Sequence, residues 1–210
     1  MIQLENHHAV FPRGWNPYLY DTGILIYTKG RVGPDADVSP GGLQPQARVE
    51  LGGLPCCGEL FRNPVLSSVI DPQRDVICCA GSYPVVLIPL ELLHPHEEVD
   101  WNRLRELESE ILSDGLIRKP ILVESETLVI LDGHHRVRVL ERLRKRLVPA
   151  LLISYEDPCL RVESWRDDWV VTKDLVLRAG LTGRLLPHKT SRHVLCIDIP
   201  LVDVPLGTLG

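Results

Sequence analysis

Residues 121–136 run ILVESETLVILDGHHR. Two short apolar runs, Ile121-Leu-Val123 and Leu128-Val-Ile-Leu131, flank the polar Glu124-Ser-Glu-Thr127, the pattern of a β-hairpin closed by a polar turn. The second run ends at Asp132-Gly133, where the grammar turns helical. Val137, Leu140 and Leu143 recur at helical spacing, which predicts a helix over 133–146. Its outer face is basic, and Arg142, Arg144, Lys145 and Arg146 are read as a solvated surface rather than a nucleic-acid stripe. Val148–Ile153 then supplies a further strand. Upstream, Pro84-Val-Val-Leu-Ile-Pro-Leu90 reads as a buried strand that leads into the loop His94-Pro-His-Glu-Glu-Val99. Asp100 is placed to cap a helix over 101–113, with Leu104, Leu107, Ile111 and Leu112 on one side and Gly115 to end it. Strand, helix, hairpin, helix, strand is the order of a small α/β (α+β) domain.

The rest of the chain differs. Residues 1–82 hold 10 Gly and 8 Pro, against 6 Gly and 9 Pro in residues 83–210. That density of turn formers predicts a Gly/Pro-rich extension over 1–84 with a few short strands, one of them over 22–28. The compact domain is expected over 85–195, followed by a tail at 196–210. A net charge of -5 gives a phosphate backbone nothing to bind to electrostatically, so no nucleic-acid partner is expected. The apolar runs are too short to span a bilayer, and MIQLENHH has no basic segment leading into an apolar one, so a cytoplasmic protein without a membrane partner is expected. In that setting the six cysteines are read as reduced. The vicinal pairs Cys56-Cys57 and Cys78-Cys79 lack the spacing of a zinc site, and Cys159 and Cys196 are read as buried hydrophobes.

The chemistry concentrates at the strand-to-helix junction. A helix N-terminus offers unsatisfied N–H groups and partial positive charge; Gly133 lets a ligand approach, and His134, His135 and Arg136 add donors. Three potential cations there oppose the helix dipole unless an anion is present, which points to a phosphate. Asp132 has a simpler reading as the helix N-cap. No Walker loop and no protein-kinase HRD or DFG set occurs in the chain.

The stretch 87–155, with PHEE at 95–98, GLIRKP at 115–120, LDGHHR at 131–136 and VPALLISY at 148–155, resembles the ParB/sulfiredoxin-like fold, a mixed sheet with helices. Residues 187–193, PHKTSRH, resemble the signature of the free L-serine kinases, which phosphorylate the amino acid itself. The resemblance covers residues 85–195. It implies transfer of a phosphoryl group from ADP or ATP, with Mg²⁺, to L-serine. By the same resemblance Glu97 would be the base and Asp132 the second catalytic carboxylate and a Mg²⁺ ligand. Gly133, His134, His135, Arg136, Lys189 and Thr190 would hold the nucleotide phosphates, and Trp165, Ser191, Arg192 and His193 the serine.

Two other functions share parts of this pattern. A nucleotide-binding ParB-like regulatory module would keep the cradle without turnover, although pure binding has no use for a base at Glu97. A metal-dependent hydrolase would bring His94, His96, His134 and His135 onto one zinc ion.

Overall fold

The computed structural model describes residues 63–210, and before them the backbone of two strands, β1 (Trp15–Leu19) and β2 (Leu25–Lys29). These two pair antiparallel, with Trp15 opposite Lys29, inside a compact unit that runs Met1–Arg48. The strand expected over 22–28 is β2. Cys56 and Cys57 lie outside the described residues.

The second unit runs Val49–Gly210. After a one-and-a-half-turn helix α1 (Pro64–Val69) come β3 (Val76–Ala80), β4 (Tyr83–Pro89), helix α2 (Trp101–Asp114) and the short β5 (Leu116–Ile117). Then follow β6 (Ile121–Glu124), β7 (Ile130–Asp132), helix α3 (His134–Arg142) and β8 (Leu147–Ile153). The chain closes with β9 (Leu160–Ser164), helix α4 (Lys173–Thr182), β10 (Ser191–Leu195) and β11 (Val204–Pro205). Five strands form one sheet in the order β3-β4-β8-β6-β7. Only β6 and β8 run parallel, so the sheet is mixed, as the resemblance implies. The central strands read as unbroken apolar runs because both their faces are covered: every residue of β6 and all of β8 after Leu147 are buried. The domain reaches beyond the boundaries expected from composition. Strand β3 belongs to the sheet, β11 pairs with β5, and Leu209 is fully buried while its carbonyl accepts from the Arg146 N–H.

Local chemistry sets the helix ends. Asp100 caps α2 by accepting from the N–H groups of Asn102 and Arg103, both at 2.8 Å, and Gly115 ends the helix in the left-handed conformation at φ 70°. Helix α3 stops at Arg142, short of the expected Arg146, because Arg144 turns left-handed at φ 55° and sends the chain into β8. Helix α4 was not apparent from the sequence. It is capped by Thr172 and packs its Gly180 against Val129, where an added Cβ would lie 2.8 Å from the valine methyls.

The cysteines depart from expectation. Cys159 and Cys196 form a disulfide, and Cys79 is also disulfide-bonded. Among the described residues Cys78 has the free thiol, and burial pushes its pKa up to about 11, which leaves it a poor nucleophile. The Cys159–Cys196 bridge joins β9 to the end of β10, whose ladder is a separate two-stranded sheet. With the two cysteines 37 positions apart, closing the loop is worth about 3–4 kcal/mol by chain entropy. The double variant Cys159→Ala/Cys196→Ala is therefore expected to unfold in urea with a stability loss of about that size. A loss within error would mean that this bridge does not restrain the unfolded chain.

Candidate active site

Glu97 is held by backbone pairing on both sides of an extended segment. On one side His94 exchanges hydrogen bonds with Leu128 and Ile130, so residues 94–96 run beside β7. On the other, the Leu186 N–H donates to the His96 carbonyl at 2.8 Å and the Glu98 N–H to the Leu186 carbonyl at 2.8 Å. The carboxylate is almost wholly buried, and its Oε1 accepts from both the N–H and the hydroxyl of Ser191, each at 2.6 Å. Burial alone would raise the pKa of Glu97. The hydrogen bonds from His96 and Ser191 together outweigh it and hold the group at about 2. Glu97 is therefore an ionised carboxylate at neutral pH.

His96 is completely buried beneath it, with Nδ1 on the Ile130 carbonyl and Nε2 2.7 Å from the Ser191 hydroxyl. The His134 ring meets the His96 ring edge-on at 4.5 Å, and its Nε2 accepts from the N–H groups of His96 and Glu97 at 3.3 and 3.4 Å. His193 lies 5.8 Å from His96 on another side and shares a 2.7 Å hydrogen bond between its Nε2 and the Tyr155 hydroxyl. Burial drives the pKa of His134 well below 6.5 and that of His193 to about 3, with the neighbouring His96 adding to both. Both rings are neutral at pH 7.

These two histidines make the fold acid-sensitive. Their folded pKa values lie below the unfolded value near 6.5, so between those limits the unfolded chain binds more protons and stability falls as pH falls. Each contributes a slope of up to about 1.4 kcal/mol per pH unit, beginning below pH 6.5 and, for His193, persisting to about pH 3. Replacing His193 by Gln is expected to flatten the stability profile across that window in urea titrations. An unchanged slope would contradict the burial of a neutral ring.

At the β7–α3 junction the helix begins without a side-chain cap, Gly133 being its N-cap residue at φ 100°. Asp132 does not cap it, contrary to the simpler reading. It is the last residue of β7, exposed, and its carboxylate pairs with Arg136 at 2.9 Å. Arg136 is committed elsewhere too, donating to the carbonyls of Lys119, at 2.9 Å, and Pro120. It thus ties the β5–β6 connection to the junction and is less available to a phosphate than its sequence position suggests. His135 reaches across to α2, its Nε2 accepting from the Asp100 N–H at 3.0 Å. Thr190 is fully buried with its hydroxyl on the Pro187 carbonyl at 2.6 Å, while Lys189 is exposed in a left-handed turn at φ 55°. Arg166, which the sequence did not mark, donates to the carbonyls of His188 and Lys189 and so fixes that turn. Trp165 is exposed on the outer end of β9 with the Arg192 guanidinium stacked 4.8 Å from its ring centre.

Two cavities flank this cluster. One, of about 360 Å³, is lined by Glu97, Glu98, Trp101, His134, Arg138 and Glu141 among others. The second, of about 220 Å³, brings Asp132 together with Arg192 and His193 against Leu122, Leu195 and Ile199. The expected site residues therefore divide: Glu97, His134, Ser191 and His193 meet around His96, and Asp132, Arg192 and His193 share the second cavity. Among the described residues no three His, Cys, Asp or Glu side chains converge as metal ligands, and His94 is exposed, so the four-histidine zinc site does not form.

The chain resembles known proteins over part of its length. An ATP-dependent L-serine kinase of Staphylothermus marinus is 36% identical over 84 residues, 38% of this chain and 33% of that protein. An ADP-dependent L-serine kinase of Thermococcus kodakarensis is 27% identical over 98 residues, 45% of this chain and 40% of that protein. Part of the chain is thus similar to L-serine kinases. A ParB-like protein of Sulfolobus acidocaldarius is 30% identical over 123 residues, 56% of this chain and 61% of that protein. The chain spans about a third of the length of the first of these kinases. A solved free serine kinase in complex with AMP superposes with a TM-score of 0.55 at 17% identity, over 60% of this chain and 93% of that one. This likeness shows that the chain shares its fold with that protein. No protein-family profile matches the chain.

Proposed function

We propose that this protein transfers the terminal phosphoryl group of ADP or ATP to the hydroxyl of free L-serine, giving O-phospho-L-serine and AMP or ADP. The observation that carries the reading is Glu97: a buried carboxylate, ionised at neutral pH, that opens on a cleft in a serine-kinase fold. A group with a pKa of about 2 is a weak base. That suffices where the transferring phosphoryl is loosely bonded, because the serine proton leaves late and positioning supplies most of the rate. Glu97 would orient the hydroxyl and accept its proton as the O–P bond forms and the bond to the leaving nucleotide breaks.

The uncapped N–H groups of α3, with His135, Gly133 and the exposed Lys189, would receive the nucleotide phosphates. Neutral His134 can donate there only through Nδ1, because Nε2 is already an acceptor. The donor chemistry at Asp132 fits Mg²⁺, a hard cation that takes one or two carboxylates and completes its shell with phosphate oxygens and water. Bound there, the ion would neutralise charge on the phosphates. Arg192 and His193 would face the serine, with Trp165 holding Arg192 in place through the ring contact. Thr190 and Arg136 support the site's shape rather than a ligand.

The donor is tested by incubating the protein with L-serine, Mg²⁺ and either nucleotide, and separating the products by chromatography. Serine-dependent appearance of AMP from ADP, or of ADP from ATP, is expected. Binding of a nucleotide without serine-dependent turnover would establish the regulatory module instead.

A further inference from the structure

Residues 159–196 form a loop closed at its base by the disulfide between Cys159 and Cys196. That loop carries Trp165, Lys189, Ser191, Arg192 and His193, the part of the proposed site that follows the central sheet in sequence, while Glu97, Asp132 and the start of α3 lie outside it. Its base is the β9–β10 ladder, which runs from Leu160 opposite Leu195 to Ser164 opposite Ser191 and pairs with no other described strand. A two-stranded ladder is marginal in water unless something else holds it, and here the pairing must also close the connection 165–190. The bridge sits one position beyond the Leu160–Leu195 pair, where the Cys196 N–H donates to the Cys159 carbonyl at 3.0 Å. At its other end the ladder meets the site: Ser191 donates to Glu97, and His193 shares its hydrogen bond with Tyr155. The middle of the loop is anchored separately, by α4 packing Gly180 on Val129.

The two cysteines are unequally placed. Cys159 is buried, whereas Cys196 is exposed. A dithiol reductant therefore attacks Sγ of Cys196: its thiolate forms a mixed disulfide there, the S–S bond breaks, and Cys159 leaves as a thiolate that takes up a proton. The reductant's second thiol then displaces Cys196 and closes its own disulfide. The products are two cysteine thiols and one oxidised dithiol, with two electrons and two protons passed to the protein.

We propose that this bridge is a redox switch on the serine half of the site. Closed, it holds β10 in register, so that Ser191 meets Glu97 while Arg192 and His193 face the substrate. Reduced, it lets the β9–β10 ladder open while the central sheet and α3 stay folded. The proposal rests on the kinase reading above. Cys78 and the bridged Cys79 lie on β3, outside the loop, and take no part in the switch.

The test compares the parent protein, oxidised and after treatment with dithiothreitol, with Cys159→Ala/Cys196→Ala. Alkylation and mass spectrometry report which cysteines have been reduced. Reduction should lower kcat/KM for serine by about ten- to a hundredfold, the scale of a misplaced contact group, and reoxidation with oxidised glutathione should restore it. Nucleotide affinity rests mainly on the start of α3 and should change far less. The double variant should begin at the reduced level and ignore the dithiol, although Cys79 keeps its bridge there. Amide hydrogen exchange gives a readout independent of turnover: the N–H groups of β10 should lose protection on reduction while those of β8 keep theirs. Unchanged serine kinetics or unchanged β10 protection once Cys159 and Cys196 are reduced would overturn the switch. So would a dithiol response that persists in the double variant, or loss of protection in β8 together with β10. Opening of β10 in a chain that never phosphorylates serine would instead overturn the kinase reading and leave the bridge's hold on the ladder intact.

Discussion

Glu97→Gln is expected to lower kcat for serine phosphorylation by about two to four orders of magnitude, the usual worth of a positioned general base. The substitution is close to isosteric, and its carboxamide oxygen still accepts from the Ser191 N–H and hydroxyl that lie at 2.6 Å in the parent. The segment pairing of His94 with β7 and of His96 and Glu98 with Leu186 uses backbone groups alone and is untouched. Fold and nucleotide binding should therefore survive while proton acceptance is lost. Circular dichroism and thermal melting check the first, and steady-state kinetics the second. A variant with near-parental kcat would show that Glu97 only shapes the cleft.

Gly133→Ala should cost about 2–5 kcal/mol of stability and take the nucleotide site with it. Two penalties coincide at this residue. Its φ of 100° lies where an L side chain is strained, and an ideal Cβ would stand 2.5 Å from Cγ2 and 2.9 Å from Cβ of Ile121. Ile121 is fully buried in β6, paired to both β7 and β8, so it has no room to yield. Gly115 supplies the control. It has a similar left-handed conformation at φ 70° but nothing within 4 Å of its Cβ position, so Gly115→Ala should show only the conformational cost of about 1–2 kcal/mol. The difference between the two variants, read from urea midpoints, measures the close approach of the junction to β6. Equal losses would mean that conformation alone requires glycine at 133.

Local signals in the sequence carried the central elements well. Asp100 and Gly115 bracket α2 because both act within one turn of their own position. The hairpin of β6 and β7 is legible because its turn is closed by a neighbour: the Glu124 carboxylate accepts from Thr127 N–H and hydroxyl at 2.7 and 2.6 Å. Long-range contacts were not legible. Helix α4 has local end signals in Thr172 and Gly183, but its packing is not local: Gly180 fits against Val129, about fifty positions earlier. The disulfide between Cys159 and Cys196 depends on the β9–β10 ladder bringing them together, which no spacing rule foretells. At the site, the motif positions of Glu97, Asp132 and His134 could be read, but their partners could not. Tyr155 and Arg166 are ordinary residues in sequence, and His96 is marked there only as a zinc-ligand candidate; their contacts with His193, the 188–189 turn and Ser191 come from the fold. Arg136 shows the reverse: a residue placed like a phosphate ligand whose guanidinium is occupied by Asp132 and two backbone carbonyls.

The most direct test of the central claim is phosphorus NMR of the full chain with Mg²⁺, nucleotide and L-serine labelled with carbon-13 at the β-carbon. The account predicts a new phosphomonoester signal coupled to that carbon, growing as the nucleotide's terminal phosphate signal declines, and absent with Glu97→Gln. Nucleotide that persists unchanged, or is consumed to inorganic phosphate with no carbon-coupled signal, would contradict it.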